Sequence, residues 1–188
     1  MTLTPYAPMW LPIVVSAVLV FVASSLIHMA LKYHNSEYRG LANEDEVRAA
    51  IRARSPAPGT YVIPYCADMK AMGSEAMQAK FREGPVGFLT LRPNGAPSIR
   101  NPLIGWFLYS LGIAAVAAYL ACHLLVPGAP FGAVCRLTGT FAFAAYAGGS
   151  IQAGIWWGKS WSAVLKEVFD GLVYGVLTGI AFAWLWPH

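Results

Sequence analysis

Two ionisable side chains in apolar stretches are the strongest chemical signal in the sequence. His28 follows Ser24 and Ser25 near the end of the first apolar run, and Asp170 stands at the start of the last one. Ionisable groups are costly inside a membrane, so each raises the hypothesis of a function and of a partner. We expect His28 and Asp170 at a similar depth, as a candidate intramembrane polar pair. The first interpretation is mutual neutralisation that docks two helices; a proton relay and a ligand site are the alternatives.

Asp170 is also expected close to a helix start. In the first turn of the last apolar helix, the positive end of the helix dipole favours a carboxylate. Lys166 lies four residues earlier and is expected to neutralise it. On this prediction Asp170 is not a deeply buried charge.

Two cysteines form the second candidate group. Cys122 ends one apolar run and Cys135 begins the next, with the turn "VPGAPF" between them. An oxidising compartment would allow a disulfide here, although we favour two free thiols. His123 adds another metal-type donor, but the spacing matches no regular metal motif. The sequence also lacks GxGxxG, P-loop, HExxH, CxxC and GxSxG motifs, so we predict no catalytic residue, no metal site and no cofactor.

The composition indicates whether water or lipid surrounds the elements that carry these residues. Of 188 residues, 57% are hydrophobic and 12% are charged, against roughly 25% charged in soluble domains. A bilayer is therefore the natural surrounding. Ten of the 13 Lys and Arg residues and seven of the nine acids lie between Lys32 and Arg100, which marks that stretch as aqueous. Because its basic residues are interleaved with acids, no nucleic-acid interface is predicted.

Four uncharged runs are long enough to cross a membrane, because ~30 Å of hydrocarbon needs about 20 helical residues. They are Trp10–Leu31, Leu103–Leu125, Leu137–Trp157 and Val168–Trp186. No Lys or Arg precedes the first run, so we interpret it as a retained anchor rather than a signal peptide. The predicted fold is an all-α membrane protein with four transmembrane helices. Its predicted parts are residues 1–32 with the first span, a loop segment 33–102, and residues 103–188 with the other three spans.

Basic residues near the span ends set the predicted orientation. Seven of them flank the long loop or the turn between spans three and four, and only Arg136 lies on the other side. This bias places residues 33–102 in the cytoplasm. Both termini are then expected in the periplasm of a bacterium, with the chain in the inner membrane.

The cytoplasmic segment is predicted to form a small α/β-like unit. "NEDEVRAAIRAR" favours a helix with Asn43 as its N-cap and Glu46 completing a capping box. "TYVIPY" and "VGFLTL" favour strands, with a short helix over Ser74–Arg82 between them. Such a unit is too small for a core of its own. We expect it to rest on the helices or on a partner protein.

The last span carries a ladder of small residues at four-residue spacing, namely Gly171, Gly175, Gly179 and Ala183. This spacing places them on one helical face, where small residues let two helices approach closely in lipid. The ladder predicts tight packing against another span of this chain or against a second copy of the protein.

Three stretches carry a resemblance that covers nearly the whole chain. They are "SSLIHMALKYHNSEY", "EGPVGFLTLRP" and "IWWGKSWSAVLKEVFDGLVYGVLT" with the closing "WLWP". Together they resemble a family of uncharacterised bacterial integral membrane proteins of similar length. The resemblance implies a bacterial origin and a four-span architecture, and it implies no activity or substrate.

These features favour a small inner-membrane protein without catalysis of its own. We expect an accessory, assembly or scaffold subunit that contacts the lipid bilayer and other membrane subunits or copies of itself. The alternative is a small transporter or channel component in which His28 and Asp170 line a polar path. The two halves of the sequence show no internal repeat, which argues against that alternative.

Overall fold

Helices dominate the structure, a computed structural model that describes residues 5–187. The chain divides into two compact units, one formed by the residues up to Tyr38 and from Ser98 onward, the other by Arg39–Pro97. The elements are α1 (Trp10–Ser25), α2 (Glu44–Arg52), β1 (Gly59–Ile63), α3 (Glu75–Glu83), β2 (Gly87–Leu91), α4 (Arg100–Leu124), α5 (Phe131–Trp157) and α6 (Trp161–Trp184). The four longest helices, α1, α4, α5 and α6, belong to the first unit.

Each predicted span coincides with one of these long helices. The largest difference is in α6, which begins at Trp161 rather than near Val168. Ser160 is its N-cap, and the Ser160 hydroxyl accepts a hydrogen bond from the backbone N–H of Ala163 at 3.3 Å. The predicted span leaves out this first part because Lys166 and Glu167 are charged. Both residues are good helix formers, so the helix extends through them.

Two helical segments, Ala7–Leu31 and Arg100–Leu124, are long and apolar enough to cross a membrane. Within residues 5–187, α5 and α6 do not meet the same criterion of length and composition, so it selects two of the four predicted spans. Several glycines and Gln152 lie in α5, and charged residues lie in the first half of α6. Core helices of soluble proteins and signal sequences can meet this criterion too.

The glycine face of α6 packs directly against α5. A Cβ atom added to these glycines would meet the following α5 atoms: for Gly171 the Cβ of Ala147 at 3.0 Å, for Gly175 the carbonyl oxygen of Gly139 at 2.8 Å, and for Gly179 the carbonyl oxygen of Cys135 at 2.8 Å. Such distances leave no room for a side chain, so the two backbones lie in contact. The helix that meets the ladder is therefore part of the same chain.

Ala183, the last member of the ladder, lies in a core of small residues. It is buried together with alanines of α4, namely Ala114, Ala117, Ala118 and Ala121. Phe182 and Met9 complete this core. The ladder thus serves two contacts, because its glycines meet α5 and its alanine lies in the core shared with α4.

The second unit is built on a two-stranded antiparallel sheet. β1 pairs with β2 in a register that places Tyr61 opposite Leu89, and α3 lies between the strands in sequence, as predicted. Ser74 caps α3, since its hydroxyl accepts a hydrogen bond from the backbone N–H of Met77. Asn43 stands at the N-cap of α2 but makes no capping hydrogen bond with its side chain, so the predicted capping box does not form. Three acids in the first turn of α2 still suit its dipole.

Candidate functional site

The irregular end of the first helix positions several side chains of the site. Leu26–Leu31 continues α1 as a π-helix, a wide form that is frequent at functional sites. Lys32 then has φ 54° and ψ 11°, in the left-handed region that residues other than glycine seldom adopt. This residue turns the chain into a short 3-10 helix, Tyr33–Glu37. Side chains of that short helix reach α6.

Asp170 is the centre of the site and is only 3% exposed. It lies well inside α6, which begins at Trp161, and so it is too far from the helix N-terminus to be stabilised by the dipole. The amino group of Lys166 donates hydrogen bonds elsewhere, to the backbone oxygen of Tyr33 at 2.8 Å and to the hydroxyl of Ser36 at 2.7 Å. The prediction of a shallow carboxylate neutralised by Lys166 is therefore wrong.

Three side chains from the end of the first helix approach the Asp170 carboxylate. The Tyr33 hydroxyl donates a hydrogen bond to Oδ1. Nε2 of His34 lies 2.8 Å from Oδ2, and Nε2 of His28 lies 4.0 Å from the same oxygen. The structure thus brings His28 close to Asp170, while the direct hydrogen bonds come from Tyr33 and His34.

The sequence reasoning missed Tyr33 and His34 as members of this site. Both follow the first apolar run, so the sequence predicts them in the aqueous loop. The available signal was the segment "HMALKYH", which places two histidines on either side of the end of the first span. The second histidine reaches Asp170 only because the chain turns at Lys32 in a left-handed conformation, and no sequence pattern indicates this turn.

Both histidine rings are oriented through their Nδ1 atoms. Nδ1 of His34 lies 2.6 Å from Oε1 of Glu37, and Nδ1 of His28 lies 2.9 Å from the backbone oxygen of Ser24. The two rings stack, with centroids 4.5 Å apart and planes 3° from parallel. In each ring the other nitrogen, Nε2, is therefore the atom that faces Asp170.

The charges around the site are unequal. Asp170 and Glu37 contribute two carboxylates, and Lys166 approaches Oε1 of Glu37 at 3.7 Å. Without a shared proton, this group of two carboxylates and one ammonium has a net negative charge, and the proton between Nε2 of His34 and Oδ2 of Asp170 offsets it. His34 is buried, but the side chain of His28 is 51% exposed, so the site is open on that side.

Tyr33 is held in its protonated form. Burial raises the pKa of the Tyr33 hydroxyl well above its ordinary value, and the hydrogen bond to Asp170 and the negative charges of Asp170 and Glu37 raise it further. The hydroxyl therefore remains a hydrogen-bond donor to the carboxylate over the whole physiological range.

An aromatic cluster lies one helical turn from Asp170 along α6. The ring of Tyr174 packs against Tyr146 and Trp106, with centroid distances of 5.3 Å and 5.8 Å. Trp106 Nε1 donates a hydrogen bond to the Ser24 hydroxyl at 2.8 Å. Within the described residues, the Tyr174 hydroxyl is buried and has no hydrogen-bond partner.

The other sequence candidates lie apart from this site. Cys122 and Cys135 are free thiols, so the structure does not form the disulfide that the sequence allowed. Sγ of Cys122 lies 3.8 Å from the backbone oxygen of Pro5, whereas Cys135 lies against Gly179 of α6. His123 is exposed near the end of α4, and its Nδ1 contacts the backbone of its own helix.

No protein-family model, curated protein or solved structure matches the chain. The fold and the site define it as a mostly helical protein with four long helices and a buried carboxylate shared by two histidines and a tyrosine. The arrangement can fix the end of the first helix to α6, hold a proton between His34 and Asp170, or bind a cation.

Proposed function

We propose that the protein is a four-span inner-membrane protein of a bacterium that acts as a non-catalytic accessory, assembly or scaffold subunit. The outward face of α6 carries this proposal. Large apolar side chains are exposed along the whole helix, namely Leu165, Phe169, Leu172, Val176, Ile180 and Trp184. A continuous apolar stripe exposed beside a buried carboxylate suits lipid contact and does not suit water.

The same distribution supports α5 as a span. Its buried face packs on the glycines of α6, and Ile151 and Ile155 are exposed. At the shared end of the two helices, Lys159 forms an ion pair with Glu167. Apart from Arg136, which is exposed near the start of α5, the charges of this helix pair are either paired near one end or lie around Asp170, which leaves the rest of the outward surface apolar. The basic residues of the loops then place residues 33–102 in the cytoplasm.

Close packing supports a scaffold more than a conduit. α5 and α6 meet through their backbones, with Gly139 against Gly175. In the separate unit, apolar side chains are exposed around the end of β1 and the start of β2, namely Val62, Ile63, Tyr65 and Val86. An exposed apolar patch of this kind suits a protein partner. We assign the contact with a second membrane subunit to these residues.

Purification in a mild detergent tests the accessory role. The chain, expressed at native level with an affinity tag, is expected to migrate with a larger complex. Tyr65→Ser combined with Val86→Ser should release it from that complex, because both side chains are exposed in the assigned patch. Leu41→Ser is the matched control, since Leu41 is an exposed apolar residue of the same unit outside the patch. A lone monodisperse species with no partner would contradict the proposal.

A transporter or channel component is the second candidate. It is supported by the unpartnered hydroxyl of Tyr174, which lies one turn deeper in α6 than Asp170 and extends the line of polar groups. In proteoliposomes, His28→Ala and Asp170→Asn should each abolish a proton or cation flux. A flux that both variants leave unchanged would remove this candidate.

A further inference from the structure

We propose that His28, His34 and Asp170 form a binding site for a divalent transition-metal ion of the zinc class. Each residue offers one ligand atom, and these atoms all lie within 4.8 Å of one another. Two imidazole nitrogens and one carboxylate oxygen form a donor set that Zn²⁺ accepts in proteins, with a further position left for water or another ligand. This inference goes beyond the scaffold role and does not depend on it.

The distances are close to those that a metal requires. Ligand atoms at about 2.0–2.1 Å around a tetrahedral Zn²⁺ lie roughly 3.3 Å from one another. His34 Nε2 and Asp170 Oδ2 are 2.8 Å apart, and His28 Nε2 is 4.0 Å from that oxygen. The first pair must open by about 0.5 Å and the second must close by about 0.7 Å to reach this separation. The two imidazole nitrogens, which lie within 4.8 Å of each other, must also approach, and because the stacked rings are nearly parallel, the His28 ring must turn so that both nitrogens point at one ion. The half-exposed His28 ring has room for that movement.

The hydrogen bonds of the two rings point to the same conclusion independently. The backbone oxygen of Ser24 and the carboxylate of Glu37 can only accept hydrogen bonds, so Nδ1 of His28 and Nδ1 of His34 both carry a proton. Each Nε2 is then the nitrogen available to a metal. Glu37 with His34 reproduces the outer carboxylate that orients a metal-binding histidine.

A metal cation can take the place of a proton in this cluster. In the metal-free chain, one proton joins Nε2 of His34 to Oδ2 of Asp170, and a metal ion would displace it. Tyr33 occupies Oδ1 of Asp170, which leaves Oδ2 as the ligand. At 4.0 Å, Nε2 of His28 makes no hydrogen bond to the carboxylate, although it faces it. The contact with Ser24 and the stacking on His34 hold the His28 ring in this orientation, which leaves its Nε2 free for a metal ion.

A bound metal would join the end of the first helix to α6. His28 lies in the π-helical segment, His34 in the 3-10 helix, and Asp170 in α6. We therefore expect the ion to raise the thermal stability of the protein with the logarithm of its concentration above the dissociation constant.

Titration of the purified full chain with Zn²⁺ tests the site. The protein carries an affinity tag without histidine and is first stripped with a chelator. Calorimetry should show one Zn²⁺ bound per chain, and His28→Ala should weaken binding at least tenfold. Glu37→Gln, which removes the carboxylate that orients His34 together with its ion pair to Lys166, should weaken it by about 10- to 100-fold. His123→Ala removes an exposed imidazole outside the cluster and should leave the affinity unchanged.

Cobalt identifies the ligands directly. Co²⁺ bound to nitrogen and oxygen should give weak visible bands without the strong near-ultraviolet band of a thiolate ligand. Zn²⁺ binding that is absent, that His28→Ala leaves unchanged, or that Cys66→Ser removes would each overturn the proposal. His28→Ala keeps the test decisive even if His34→Ala or Asp170→Ala fails to fold, because the His28 side chain is half-exposed. Since the isolated chain is titrated, the outcome is independent of any partner subunit.

Discussion

A buried carboxylate is stable only when its oxygens are hydrogen-bonded, because removing a charge from water costs several kcal/mol. Asp170 meets this requirement through Tyr33 on one oxygen and His34 on the other. The polar contacts then continue through Glu37 to Lys166, so the charge is distributed over a network. The free-energy cost of removing one of these side chains therefore depends on which polar groups it leaves without a hydrogen-bond partner.

Substitution of Asp170 measures this dependence. Asp170→Ala leaves the Tyr33 hydroxyl and the His34 ring without their acceptor, and we expect it to lower the free energy of unfolding by about 3 kcal/mol. Asp170→Asn keeps a carbonyl oxygen for Tyr33 and an amide for His34, so its cost should be nearer to about 1 kcal/mol. Unfolding by SDS in mixed micelles, with a chelator present, provides the measurement. Equal stability of the two variants would contradict the hydrogen-bonding argument.

Tyr33 gives the site a dependence on alkaline pH. Because its pKa is raised in the folded state, its contribution to stability is complete below the pKa of an unfolded tyrosine, about 10. It is lost as the pH rises above that value. Wild type should therefore lose stability above about pH 10 more steeply than Tyr33→Phe, which cannot ionise there.

Lys166 lies 5.8 Å from the centre of the Tyr33 ring. Wild type and Tyr33→Phe both contain Lys166, and both also contain His28, His34, Glu37 and Asp170. A difference between their stability curves is therefore due to the Tyr33 hydroxyl. Parallel stability curves for the two proteins between pH 9 and 11 would show that the Tyr33 hydroxyl contributes nothing to the dependence.

The sequence contained part of this site. His28 and Asp170 stood out because ionisable residues are rare in apolar runs. Tyr33 and His34 stood in polar surroundings, where such residues are ordinary. Their position depends on the left-handed conformation of Lys32, and lysine has no preference for it.

At the scale of the helices, the contact between α5 and α6 depends on residues without side chains. The ladder of α6 could be identified from its spacing, but its partner could not. On α5 the facing residues are Cys135, Gly139, Phe143 and Ala147, which also recur every four positions. The sequence alone does not show this second ladder, because Phe143 is not a small residue. In the structure its Cβ and backbone nitrogen are the atoms that approach Gly175.

Alanine substitutions separate packing from helix propensity. A Cβ on Gly175 would lie 2.8 Å from the backbone oxygen of Gly139, so Gly175→Ala should destabilise the protein by about 1–3 kcal/mol through overpacking. Gly148→Ala is the matched control, since a Cβ there meets nothing within 4 Å. Alanine is the better helix former, so the control should be neutral or stabilising by up to about 1 kcal/mol. SDS unfolding measures both, and equal effects would contradict close packing at Gly175.

At the scale of the whole molecule, the first unit buries many small residues around a few large ones such as Phe182 and Met9, and it exposes many other large apolar side chains. Uncharged runs located the four long helices because these helices are mostly uncharged, although only two of the four meet the criterion for a membrane span. The runs cut α6 short where Lys166 and Glu167 enter the helix. The sequence also located the second unit, whose compact part is Arg39–Pro97 within the predicted segment 33–102. Residues Tyr33–Tyr38 belong with the helices instead.

Labelling of cysteine tests the orientation of the chain in the membrane. Cys66 is the only cysteine of the second unit, and we expect it in the cytoplasm because basic residues flank that segment. In a Cys122→Ser, Cys135→Ser background, an impermeant thiol reagent should therefore leave Cys66 unlabelled in intact spheroplasts. It should react after the membrane is permeabilised.

The matched control adds His123→Cys and Cys66→Ser to the same background. Position 123 is exposed near the end of α4, on the side opposite to the long loop in the proposed topology, so it should react in intact spheroplasts. Labelling of Cys66 together with protection at position 123 would invert the orientation. That result would place His28, His34 and Asp170 at the periplasmic end of the helices, where the metal ions available to the site would come from outside the cell.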